Sequence, residues 1–124
     1  MNTAAIKAAE LENRFVSFAA EILSISTRLP RTLQGRHICK QLLRSGTATA
    51  ANYGEARGAE SRSDFIHKLG IVLKELNETA IWLELIRRSC LVPPADIVAI
   101  IAENRELSRI ITASVKTARG SIAR

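Results

Sequence analysis

The sequence predicts an all-α protein, an antiparallel up-down-up-down four-helix bundle in a single domain, 1–124, and three observations carry that prediction. Apolar residues recur at alternating steps of three and four through most of the chain, the repeat that lines one face of an α-helix. Six glycines and three prolines are too few for the turns of a many-stranded fold. Pro30, Gly58 and the pair Pro93–Pro94 cut the repeat into four runs, approximately 10–29, 34–58, 61–90 and 94–119, and short links between such runs favour antiparallel neighbours.

Residues 1 to about 8 lack periodicity and are expected to fray. In the first run Leu11, Phe15, Phe18, Ile22, Ile25 and Leu29 form the buried stripe, and Pro30 pushes Leu29 out of the helical region, making it the natural last residue. The second run opens on Ile38, Leu42 and Leu43, then turns to small side chains from Ser45 to Gly54. Gly46 and Gly54 would each cost about 1 kcal/mol relative to alanine in an exposed helix. Close packing against helix three or another subunit would offset that cost; a break near Ser45 and Gly46 is the alternative.

The third run, Ser61 to Arg88, carries the clearest signal and organises the rest. Ser61 and Asp64 make a capping-box-like start, and Phe65, Leu69, Val72, Leu76, Thr79 or Ala80, Leu83 and Ile86 share one stripe. A second apolar group, Ile71, Trp82 and Leu85, projects roughly opposite. One bundle does not cover both, and uncovered apolar surface marks an interface, so a homo-oligomer is expected. In the fourth run Pro93 and Pro94 open a helix, Ile97, Ile100, Ile101, Leu107, Ile111, Val115 and Ala118 face inward, Asn104 interrupts the stripe, and Gly120 is the expected stop.

A chain of 124 residues that is 47% hydrophobic and 24% charged is too apolar for disorder and long enough to bury roughly two-thirds of its extended surface. The longest wholly apolar run, Ile97 to Ala102, is far short of the roughly 20 residues a membrane span requires, and the first residues lack the apolar segment of a secretion signal. A cytoplasmic location follows as the default. Cys39 and Cys90 lack a CxxC spacing and are expected to be free thiols. The formal charge is +6, and arginine dominates the 18 basic residues. Arginine suits planar contact with phosphate.

In an up-down bundle Arg28, Arg31, Arg36, Lys40, Arg87 and Arg88 gather at one end, with Asp96 the nearest acid in the connecting segments. At the other end Arg57, Arg62, Lys116, Arg119 and Arg124 are diluted by Glu10, Glu12, Glu55, Glu60 and Asp64. The first cluster is the candidate nucleic-acid surface, the alternative being ordinary solvated charge. Few aromatics argue against base stacking, so binding would follow backbone charge with little sequence preference. Asn52 with Glu55, and Glu75 with Glu78, are spaced three apart and share faces; where helices two and three meet they could bind Arg44, as a polar network fixing register or subunit contact. Catalysis by these carboxylates lacks an accompanying acid, base and nucleophile. Asp64 with His67, or His37 with Cys39, is too little for a di-iron or zinc site, and the glycines at 54 and 58 belong to no phosphate loop. No enzyme activity, metal or cofactor is expected.

RSGTATAANYGE, from Arg44 to Glu55, followed by SRSDFIHKLGIVLKELNETAIWLEL, resembles the family of four-helix-bundle proteins encoded in intervening sequences of bacterial 23S ribosomal RNA genes. The matching positions are Arg44, Ser45, Ala51, Asn52, Glu55, Phe65, Leu69, Glu75, Glu78, Thr79, Trp82 and Leu83, whereas Tyr53, Gly54 and Gly70 depart from the family pattern. The resemblance covers nearly the whole chain and is specific in its middle. It implies a ring, typically of five subunits, with a basic surface. It also implies kinship with accessory proteins of diversity-generating retroelements, similar bundles thought to hold nucleic acid and a reverse transcriptase. The function expected is therefore a non-enzymatic oligomer, a homopentamer on the resemblance, that binds RNA or DNA backbone. The alternative is a scaffold recruiting a protein such as a reverse transcriptase.

Overall fold

A computed structural model describes residues 3–123, with side chains to residue 120. Four helices, α1 (Thr3–Ser26), α2 (Leu33–Arg57), α3 (Arg62–Ser89) and α4 (Val98–Ala123), run in the order expected, and no strand occurs among the described residues. Each helix packs against its sequence neighbour, so the four form a four-helix bundle; the circle closes most thinly between α1 and α4. Phe15, Phe18, Ile22, Leu42, Leu69, Leu76, Leu83, Ile86, Ile97, Ile100, Leu107 and Ile111 are fully buried. These are the stripes that the three-four repeat marks out.

Local chemistry sets the boundaries. The Thr32 side chain caps α2 by accepting from the Gly35 N–H at 3.1 Å, and the Ser61 side chain caps α3 by accepting from the Asp64 N–H at 3.0 Å. Such caps satisfy donors that a helix start leaves free. The α3 helix ends at Cys90, which takes a left-handed conformation (φ 53°), as a C-terminal cap requires.

Several sequence expectations are corrected at the ends. The first helix begins at Thr3, within the stretch expected to fray, and ends at Ser26, short of Leu29. Its last turn is tightened: Ser26 Oγ donates to the Ile22 carbonyl at 2.8 Å, and the Leu29 N–H donates to the Ser26 carbonyl at 3.3 Å. This turn returns Leu29 to the core. Pro94 opens a single 3-10 turn, Pro94–Asp96, and the α-helix starts only at Val98, with Ile97 buried between the two. Gly120 does not stop α4, which continues to Ala123. No glycine among the described residues has positive φ, so none terminates a helix by the left-handed route. Arg124 lies outside the described residues.

The small-residue half of α2 is continuous through Ser45 and Gly46. Its close neighbour at Gly46 is α1 rather than α3. A Cβ placed there would stand 2.8 Å from Cγ1 and Cγ2 of Ile22, so glycine lets the two helices approach. One position earlier in the chain, Ser45 turns to α3, where its hydroxyl shares a 2.9 Å hydrogen bond with Thr79. Asn104 breaks the α4 stripe as the sequence indicates: it is 3% exposed, and its Nδ2 has no hydrogen-bond partner. Leaving a buried donor unpaired costs about 1–3 kcal/mol.

Between the first half of α1 and the last half of α4 lies a groove of about 830 Å³ walled by Ala8, Leu11, Phe65, Ala113 and Ala118. Beside it Arg14 and Glu103 tie the two helices with a two-point ion pair, at 2.7 and 3.1 Å. The hydrogen bond to Glu103 raises the affinity of the Arg14 guanidinium for its proton. No helix among the described residues is long and apolar enough to cross a membrane.

Candidate nucleic-acid interface and subunit seam

The end of α1, the start of α2 and the end of α3 share one end of the bundle by topology, and the six basic residues named from the sequence stand on or next to those segments. They are not equivalent. Arg28 pairs with Asp96 at 3.1 Å. Glu84, which the sequence reading did not single out, holds both Arg87 and Arg88. Arg87 reaches its two carboxylate oxygens at 2.7 and 2.6 Å, and Arg88 Nε donates at 2.9 Å. The hydrogen bonds from Arg87 and then Arg88 pull the Glu84 carboxyl down to about 2. Its three- and four-residue spacing from those arginines was the available signal. Arg31, Arg36 and Lys40 are exposed and make no ion pair among the described residues. Three of these six cations therefore have no ion-pair partner among the described residues, and Glu21, exposed on the last turns of α1, is a further carboxylate near this end.

The opposite end is cross-linked by opposite charges. Arg57 pairs with Glu12 at 2.9 Å and Lys68 with Glu55 at 3.5 Å. Arg62, Lys116 and Arg119 are exposed there without an ion pair among the described residues, at the same end as Glu10 and Glu60.

Along α2 and α3 a polar seam forms around Arg44. Its guanidinium lies 3.5 Å from Glu75 Oε2 and also pairs with Glu78. Glu78 in turn accepts from Trp82 Nε1 at 3.3 Å, and the Trp82 ring meets His37 edge-on at 5.9 Å between ring centres. Glu75 is 6% exposed. A carboxylate so placed needs its counter-ion, because burial of an unpaired charge is costly. Of the polar residues read from sequence, Arg44, Glu75, Glu78 and Trp82 come together. Asn52 and Glu55 do not: Asn52 donates to its own helix at the Ala48 carbonyl, 2.8 Å, and Glu55 turns to Lys68. His37 and Gln41 also join the seam: Gln41 was open to the same three-residue spacing from Arg44, whereas the cross-helix contact of His37 had no such signal.

The second apolar group of α3 also needs correction. Trp82 flanks the α2 side, as the Trp82–His37 and Glu78–Arg44 contacts require, and Ile71 is three helical turns before it on the same flank; neither lies opposite the core stripe. Both are half-buried. The outward position is held by Ile81, 61% exposed, beside Leu85, while Leu33 at the start of α2 is 83% exposed. The remaining chemistry is sparse. No group of three or more metal-ligating side chains occurs among the described residues, and both cysteines are free, Cys90 at the surface.

Fold and surfaces together define a class, small antiparallel four-helix bundles whose polar side chains serve helix packing and ion pairing. Within it the chain belongs to the family of 23S rRNA-intervening sequence proteins, whose model matches residues 8–113. It is also similar to a crystal structure from Bacteroides thetaiotaomicron, a protein of unknown function from the S23 ribosomal protein family. The identity is 36% over 86% of this chain and 98% of the other, with a TM-score of 0.80. No curated protein matches.

Proposed function

We propose that this protein is a non-enzymatic homo-oligomer, a five-subunit ring by family resemblance, that binds the backbone of RNA or DNA through its basic end. The observation that carries the reading is the group Arg31, Arg36 and Lys40, exposed and without carboxylate partners among the described residues, at the same end as Arg28, Arg87 and Arg88. Each phosphate a cation neutralises releases counter-ions, so affinity should fall steeply with salt. Assembly is supported by apolar side chains left in solvent, Ile81 and Leu85 on α3 and Leu33 on α2, on the helices that carry the Arg44 seam. Copies brought together would multiply the cationic end.

Filter binding of single- and double-stranded RNA and DNA across a salt series tests the backbone reading; an affinity indifferent to salt removes it. Native mass measurement tests assembly, and a monomer alone overturns it. The rival reading, a scaffold that recruits a protein such as a reverse transcriptase, is favoured by the same exposed apolar side chains. Reversing Arg28, Arg31, Arg87 and Arg88 to glutamate separates the two. Nucleic-acid retention collapses under the first reading and stays at its background level under the second.

A further inference from the structure

The outward side of α1 carries a second stripe that the bundle leaves in solvent. Ile6, Ala9, Asn13, Val16, Ala20 and Leu23 recur at steps of three and four, on the side away from the buried Phe15, Phe18, Ile22 and Ile25, and each is exposed. The large apolar members, Ile6, Val16 and Leu23, are 41%, 55% and 51% exposed. No charged residue interrupts the stripe, although 24% of the chain is charged, and depletion of charge marks the core of an interface. The three-four repeat is also the pattern by which one helix pairs with another. Along its margins Glu12 is held by Arg57 and Arg14 by Glu103. Lys7, Glu10 and Glu21 are exposed there and make no ion pair among the described residues.

We propose that this face pairs with the same face of a second copy, the two α1 helices lying antiparallel about a two-fold axis that passes between Arg14 and Phe15. One register engages every large side chain of the stripe. It sets Ile6 opposite the partner's Leu23, Ala9 opposite the partner's Ala20 and Asn13 opposite the partner's Val16, each contact repeated across the axis as a two-fold interface requires. Sliding by one heptad either way leaves Ile6 or Leu23 unmatched. In this register Lys7 stands level with the partner's Glu21 on the same flank, and Glu10 falls beside the partner's Ser17, so opposite charges meet and like charges do not. A parallel pair would set Lys7 beside the partner's Lys7 and Glu21 beside the partner's Glu21. The charge match therefore selects a second copy, and selects its direction. The overlap from Ile6 to Leu23 is about 26 Å long. The proposal does not rest on the ring or on nucleic-acid binding, since Leu33, Ile81 and Leu85 belong to α2 and α3; a two-fold contact through α1 joins two single copies or two rings alike.

The test is thiol cross-linking of the full chain with Cys39 and Cys90 replaced by serine. Ala9→Cys mixed with Ala20→Cys under a mild oxidant should give a covalent dimer, because the two positions face each other within disulfide reach. Either variant alone should give little, its own copies being offset by about 16 Å along the pair. At low salt Lys7→Glu and Glu21→Lys should each weaken association about fivefold or more in sedimentation. The double exchange should restore it, a rescue that misfolding could not produce. Val16→Glu with Leu23→Glu should halve the native mass, from dimer to monomer where no ring forms and from paired rings to one ring where it does, with the helical circular dichroism unchanged. No cross-link in the mixture, self-linking of either cysteine variant as readily as the mixture, or an exchange that fails to rescue each overturn the proposal. A ring whose mass Val16→Glu with Leu23→Glu leaves unchanged removes the α1 contact and keeps the ring. A dimer that those changes reduce to monomer, with no larger species in the parent protein, keeps the α1 contact and removes the ring.

Discussion

Gly46 of α2 rests directly on Ile22 of α1, so near that a Cβ at residue 46 would stand 2.8 Å from both γ carbons of the isoleucine. Those carbons are joined to the Ile22 Cβ and cannot swing away as the end of a long side chain could. Gly46→Ala gains about 1 kcal/mol of helix propensity and incurs overpacking of about 1–3 kcal/mol. The expected balance is a loss of up to about 2 kcal/mol in urea unfolding. Combined with Ile22→Ala the two losses should fall short of their sum by about 1 kcal/mol, since each change relieves the other. Additivity would show that the close approach is relaxed in solution.

Two other backbone positions should respond in the opposite direction. Gly70 is an exposed position inside α3 where an added methyl group would meet nothing within 4 Å, so Gly70→Ala should stabilise by about 1 kcal/mol. Cys90 holds a left-handed conformation that costs an L-residue about 1–2 kcal/mol, and Cys90→Gly should recover part of it. Thermal melts in reductant check both; a lowered midpoint in either contradicts the stated cause.

The buried pair Ser45 and Thr79 joins α2 to α3 through hydroxyls 2.9 Å apart, with Thr79 also bonded to the Glu75 carbonyl at 2.8 Å. Thr79→Val strands the Ser45 hydroxyl and should cost about 1–3 kcal/mol. Ser45→Ala together with Thr79→Val should cost less than the two single changes added, because neither hydroxyl is then left without the other. Denaturant midpoints of the four proteins in the cycle decide this.

Glu84 sets an acid limit on the basic end. Its carboxyl is held at about 2 against an ordinary 4.5, so the folded protein binds its proton more weakly than the unfolded chain does. The stabilisation is complete above about 4.5 and is lost as pH falls through about 2. Glu84 is near the surface, so salt should shrink the shift. Carboxyl titration by NMR at low and high salt reads it directly; a Glu84 that titrates near 4.5 at low salt would show that the arginines are not engaged.

The helices were legible because their stripes are long and regular, and the residues of those stripes are the buried ones. Their ends were less so. Whether Leu29 closes α1 as helix or as a turn depends on Ser26 bonding back to Ile22, and whether Pro94 opens an α-helix or a 3-10 turn depends on where Ile97 finds the core. The site divided along the same line. Arg44, Glu75 and Glu78 could be paired from helical spacing plus an antiparallel neighbour, whereas Asn52 chose its own backbone and Glu55 chose Lys68. Helical spacing puts residues on one face but does not say which partner each side chain reaches. Glu84 was legible from its spacing to Arg87 and Arg88, but it sits inside α3, away from the connecting segments where Asp96 stands.

The Arg14–Glu103 tie bridges the one boundary where partners distant in sequence have little else in common. Spontaneous opening in the native state should begin there, with amides near that boundary exchanging with solvent ahead of those in the middle hairpin. A molecule built this way can part its first and last segments and keep its centre ordered, which makes the clasp the place where proteolytic attack would start.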